Sequence, residues 1–115
     1  MNVKAAEREI LELATEDYQG LWEIRSQVEQ SLNLMGPVLL KTMVRAVRHL
    51  LKRGWVQLYR ASPEAWNNAT ALGPPEVAAI LDDVRSWDLP AGDADRLLIA
   101  ATLEGERAYK RQALG

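Results

Sequence analysis

Apolar residues recur every three or four positions through the first half of the chain, a spacing typical of amphipathic helices. The spacing predicts a first helix over residues 3–14 and a second over residues 21–32, separated by the polar run 16–20. A third helix follows a turn that ends at Pro37, because the residue before a proline is disfavoured in helical conformation. Gly54 lies where a left-handed C-terminal cap belongs, so it predicts the end of this helix.

The second half of the chain predicts two strands with a long excursion between them. Residues 55–60 carry aromatic and branched side chains at strand periodicity, and residues 96–101 form a flatter apolar run typical of a more buried strand. The intervening residues 61–95 are too many for a hairpin loop, so part of them must be structured. Apolar spacing predicts a helix near residues 75–87, flanked by loops, with an apolar face formed by Val77, Ile80, Leu81, Val84 and Trp87. Thr102 is suited to cap a last helix that runs to about Leu114.

Composition favours one domain and removes several kinds of chemistry. A chain of 115 residues that is 48% hydrophobic fits a single core. It has no cysteine and one histidine, so we expect no disulfide, metal site, cofactor or catalytic residue, and no enzymatic activity. No apolar run approaches the roughly 18 residues that span a bilayer, and the charged start lacks a signal-peptide pattern. We therefore expect a cytoplasmic protein without a membrane partner.

Charge is segregated along the chain, although the net charge is only −2. No acidic residue occurs between Gln30 and Pro63, whereas residues 61–95 hold seven acidic residues against Arg85 alone. The third predicted helix carries four cations within about 60° of arc, at about 100° per residue. We call these four the cationic stripe: Lys41, Arg45, Arg48 and Lys52. Such a stripe is either a solvated helix face or a surface that binds phosphates.

Three phrases of the sequence resemble winged helix-turn-helix transcription regulators. Residues 39–56 look like their recognition helix and following strand. In those proteins the helix ends in a short motif of leucine, a basic residue, glycine, an apolar residue and valine. Residues 101–107 are similar to the Thr-x-x-Gly phrase after the last wing strand, and residues 18–24 resemble the entry into the second helix. The resemblance implies one α+β winged-helix domain over residues 1–115. It would have a three-helix core, a small antiparallel sheet, an acidic helical insertion in the wing at residues 61–95 and a short C-terminal helix.

The same resemblance implies DNA binding in transcriptional regulation. In this family the third helix enters the major groove, the wing touches backbone or minor groove, and the protein is usually a homodimer. The candidate DNA contacts are Lys41, Thr42, Arg45, Arg48, His49, Lys52, Arg53 and Arg60. His49 also fits a partly buried or solvated position without a DNA role. The start of the third helix lacks the Asn, Gln and Arg side chains that read base edges, so we expect low sequence specificity.

The acidic insertion leaves a second function open. Phosphates would repel it, so it either contacts a protein partner or covers the basic helix. The alternative function is therefore a protein-interaction module on a winged-helix scaffold, favoured if the insertion packs over the third helix. Trp66 lies in a polar run and marks a candidate protein contact, whereas Trp22, Trp55 and Trp87 are expected in the core.

Overall fold

The computed structural model describes residues 3–114, apart from the side chains of Trp66 and of residues 112–114. These residues form an α+β fold of five helices and a four-stranded antiparallel sheet. The helices are α1 (Val3–Glu16), α2 (Leu21–Leu32), α3 (Gly36–Lys52), α4 (Pro74–Asp82) and α5 (Leu103–Leu114). The strands are β1 (Gln19–Gly20), β2 (Val56–Ala61), β3 (Thr70–Ala71) and β4 (Arg96–Ala101). Single 3₁₀ turns cover Trp66–Asn68 and Val84–Trp87.

The central element of the core is α3, which buries one full face. The residues of this face are Leu39, Met43, Ala46, Val47 and Leu50. They pack against α1 and α2. The facing residues are Ile10 and Leu11 of α1 and Ile24 and Val28 of α2. Burying a large apolar side chain stabilises the fold by about 1.5–3 kcal/mol. The rotation of α3 about its axis is therefore fixed, and its opposite face lies in solvent.

The sheet has the strand order β1-β4-β2-β3. Its centre is the pair β2 and β4, which runs from Val56 opposite Ala101 to Ala61 opposite Arg96. The prediction for β4 is confirmed at both ends, and β2 is shifted by one residue. The sequence predicted neither β1 nor β3, and β3 falls in a segment expected to be a loop. Each has only two residues, too few for an alternating pattern to show.

The insertion between β2 and β4 belongs to the core. Its buried residues are Leu72, Ile80, Leu81 and Trp87. The predicted helix over residues 75–87 is wrong at its C-terminal end, because the backbone leaves helical conformation at Asp83 and continues as a 3₁₀ turn. Val84, expected on the apolar face, is therefore 63% exposed, whereas Trp87 is confirmed in the core.

The start of α5 lies in close contact with the turn that follows α3. Gly54 ends α3 in the left-handed conformation, with φ 74°, as the sequence predicted. Thr102 Oγ1 donates a hydrogen bond of 2.6 Å to the Gly54 carbonyl and accepts one of 3.0 Å from the Gly105 N–H, which caps α5. Gly105 lies against the backbone of Trp55, where a Cβ would overlap the carbonyl oxygen. Glycine is therefore required at position 105 by contact rather than by φ.

We expect Gly105→Ala to lower the free energy of unfolding by about 2–3 kcal/mol, because overpacking forces α5 away from the turn. The predicted loss is opposite to the effect of intrinsic helix propensity, which favours alanine over glycine by about 1 kcal/mol. Urea denaturation measures the change. The matched control is Gly73→Ala, where the nearest atom, Cδ of Pro75, lies 3.9 Å from the added Cβ. It should cost at most about 1 kcal/mol, as a poorer N-cap, and equal losses in the two variants would contradict the close contact.

Candidate nucleic-acid interface

The cationic stripe lies on the solvent face of α3, opposite the face that packs in the core. All four side chains of the stripe are exposed. Among the described residues, ion pairs and side-chain hydrogen bonds involve none of the following three, which we call the free cations: Lys41, Arg45 and Lys52. The predicted surface is therefore present, and three of its four charges are unneutralised.

Arg48, the fourth member of the stripe, is paired with the insertion. Its Nη2 lies 2.6 Å from Oδ1 of Asp82, the last residue of α4. Both side chains are more than half exposed, so the pair contributes about 0–1 kcal/mol. The adjacent Asp83 bonds to Arg85 instead, and the side-chain and backbone hydrogen bonds from Arg85 lower the pKa of Asp83. The insertion thus flanks the C-terminal half of α3 and touches the stripe at one point.

Two other predicted DNA contacts are held by a carboxylate of α1. Glu7 has a side chain only 10% exposed, accepts a hydrogen bond from the Arg53 guanidinium and lies 3.2 Å from Nδ1 of His49. The same guanidinium stacks over the Trp55 ring, 5.1 Å from its centre. A buried carboxylate must be paired to offset its desolvation, so these contacts fasten α1 to the end of α3. His49 and Arg53 therefore help to pack α1 against α3, and DNA contact by these two half-exposed side chains stays a prediction.

Sequence reasoning missed Glu7, although a signal exists. Glu7 is three residues before Ile10 and four before Leu11, so it shares the buried face of α1. A carboxylate on an apolar helix face requires a cation from a neighbouring element.

The position of each cation around α3 explains which are paired. At about 100° per residue, the order around the helix is Arg53, His49, Arg45, Lys52, Lys41 and Arg48. The two residues at the first edge meet Glu7 of α1, and Arg48 at the other edge meets Asp82 of α4. The free cations occupy the middle, which no described carboxylate reaches.

Of the three remaining predicted contacts, Thr42 is buried, Arg60 is exposed, and Trp66 is untested. Thr42 is 9% exposed and points toward the core, so it is removed from the candidate DNA contacts. Arg60 is exposed on β2 and lines a cleft together with Glu76 and Asp95, so the charge around it is mixed. The Trp66 side chain lies outside the described residues. Trp22 and Trp55, expected in the core, are only partly buried.

Similarity to known proteins gives no function for the cationic stripe. Comparison with protein-family models, with curated proteins and with solved structures finds no match to the chain. None of the described helices combines the length and the apolar character needed to cross a membrane. The candidate interface is therefore defined by geometry and charge.

We expect Glu7→Gln to lower the free energy of unfolding by about 1–2 kcal/mol, because the amide cannot balance Arg53 and stays buried. Chemical denaturation measures the loss. The control is Glu16→Gln, an exposed carboxylate at the end of the same helix, which should change stability by less than about 0.5 kcal/mol. A Glu7 variant as stable as the control would show that the contact does not hold α1 to α3.

Proposed function

We propose that the protein binds duplex DNA as a winged helix-turn-helix protein in transcriptional control, with α3 as the recognition helix. The observation that carries this proposal is the set of three free cations on the solvent face of a helix whose rotation is fixed by the core. Each cation that meets a phosphate releases counterions, which favours binding at low salt.

The order of elements supports the winged-helix part of the proposal. Three helices precede β2, and β2 pairs with β4 after the insertion, as a wing would. β1 lies between the first two helices and pairs with β4, so Gln19 faces Ile99 in the same sheet. The resemblance implies three helices and a small antiparallel sheet, and the observed α+β arrangement is compatible with it, although β1 was not expected.

The chemistry of the exposed face favours phosphate contacts over base reading. Lys41 and Lys52 act as point charges, whereas the planar guanidinium of Arg45 is able to donate two hydrogen bonds to the edge of a guanine base. Val38, 59% exposed at the start of α3, offers only an apolar contact, such as to a thymine methyl group. We therefore propose binding with low sequence specificity. A homodimer remains an expectation from the resemblance alone, and a sizing run at the binding concentration tests it.

The position of the insertion is compatible with DNA binding by α3, except that Arg48 is paired with Asp82. Asp82 pairs with Arg48 in the C-terminal half of α3, whereas Lys41 and Arg45, nearer the start of the helix, stay exposed. The acidic insertion then flanks the DNA rather than covering the helix. Arg48 joins the interface only if its pair with Asp82 opens.

A second candidate function is protein binding through the insertion. Val84 and Leu89 are 63% and 74% exposed there, among acidic residues. Exposed apolar side chains with a polar rim are typical of protein contacts. Failure of the protein to bind heparin or mixed duplex at low salt would favour this candidate.

We expect Lys41→Gln and Arg45→Gln each to weaken binding to mixed-sequence duplex by up to about tenfold at low salt, because each removes one phosphate contact. Fluorescence anisotropy with labelled duplex measures the affinity. Lys110→Gln, which removes an exposed charge on α5, is the matched control and should change affinity little. Equal losses in all three variants, or none, would contradict an interface on α3.

We expect Asp82→Asn to strengthen duplex binding about threefold and to steepen the salt dependence by about 0.9, because it releases Arg48 to a phosphate. Asp93→Asn removes an exposed insertion carboxylate with no described ion pair and controls for net charge. In the double variant Asp82→Asn/Arg48→Gln the gain should disappear. A gain that persists without Arg48 would contradict this role of the ion pair.

A further inference from the structure

A cleft of about 590 Å³ separates the C-terminal end of α3 from α4. Leu51 of α3 lines one side and Val77 and Leu81 of α4 line the other, with Val56 and Leu72 also contributing. This volume lies within the range of about 300–1,000 Å³ in which proteins hold small molecules. The cleft therefore has the size and the apolar lining of a ligand site.

The charge of the cleft is one-sided. Arg48 and Lys52 lie four residues apart on α3 and both line it, and none of the described lining residues is acidic. Asp82 meets Arg48, whereas Lys52 has no charged partner among the described residues. An apolar interior beside unbalanced positive charge fits an anion with an apolar body.

We propose that this cleft binds a small organic carboxylate. Its apolar body lies between Leu51 and the α4 residues Val77 and Leu81, and its carboxylate is held by Lys52 and Arg48. At Arg48 the ligand replaces Asp82, which exchanges one exposed charge-assisted hydrogen bond for another at little cost. Lys52 supplies the additional attraction.

The proposed ligand has a consequence that rests on the proposed function. Arg48 and Lys52 belong to the cationic stripe, so a bound carboxylate removes positive charge from the surface that faces DNA. Carboxylate and duplex then oppose each other's binding by the same factor. The carboxylate site itself does not depend on DNA.

The test is an NMR titration of the full chain with 4-phenylbutyrate in the absence of DNA. We expect saturable shifts centred on the methyl groups of Leu51, Val77 and Leu81. The neutral 4-phenylbutyramide, with the same apolar body, should bind at least about tenfold more weakly, because it lacks the charge-assisted hydrogen bonds. Shifts that do not saturate, shifts outside the cleft, or equal affinity for the two compounds would overturn the proposal.

Two matched pairs of variants locate the site. Lys52→Gln should weaken 4-phenylbutyrate binding by about tenfold and Lys41→Gln, outside the cleft, should not. Ala78→Phe should fill the cleft and block binding, whereas Ala79→Phe, exposed on the same helix but outside the lining, should preserve it. Thermal denaturation checks that each variant is folded. Equal effects within either pair would overturn the assignment.

A separate measurement tests the consequence for DNA. Adding 4-phenylbutyrate should lower duplex affinity of the wild-type chain but not of Ala78→Phe. An unchanged wild-type affinity would overturn the link between the two sites. Because the NMR titration contains no DNA, failure of the proposed function and failure of the carboxylate site are distinguishable.

Discussion

The burial of one face of α3 is the constraint on which the rest of the structure depends. Leu39, Met43 and Leu50 pack against α1 and α2, so α3 cannot rotate without exposing large apolar side chains. The charges on the opposite face are therefore presented to solvent by packing, not by attraction to one another. The contact between Gly105 and Trp55 and the hydrogen bond from Thr102 to Gly54 hold the turn after α3 against the start of α5.

The same constraint divides the cations of α3 by position. Arg53 at one edge pairs with Glu7 of α1, and Arg48 at the other edge pairs with Asp82 of α4. Those in the middle pair with no carboxylate among the described residues. The buried Glu7 and the exposed Asp82 differ in consequence. Loss of Glu7 leaves Arg53 without its buried partner. The exposed pair of Arg48 and Asp82 opens at little cost, so Arg48 is able to pair with another anion instead.

How much could be predicted from the sequence depends on the length of each pattern and on the distance between partners. The long helices and the strands β2 and β4 carry enough periodic positions to be recognised, while β1 and β3 are too short. The predicted helix in the insertion continued through Val84, because apolar spacing persisted where the backbone turns at Asp83. The exposed stripe followed from helical geometry. Its pairings did not, because Glu7 lies 46 residues from Arg53 and Asp82 lies 34 from Arg48.

The proposed function requires that α3 present unneutralised positive charge to duplex DNA. The most direct measurement is the affinity of the wild-type chain for mixed-sequence duplex across a range of salt concentrations. Three phosphate contacts should give a slope of about −2.7 in log affinity against log salt, since each contact contributes about −0.9. Absence of binding at low salt, or an affinity that does not change with salt concentration, would contradict DNA binding by the free cations of α3.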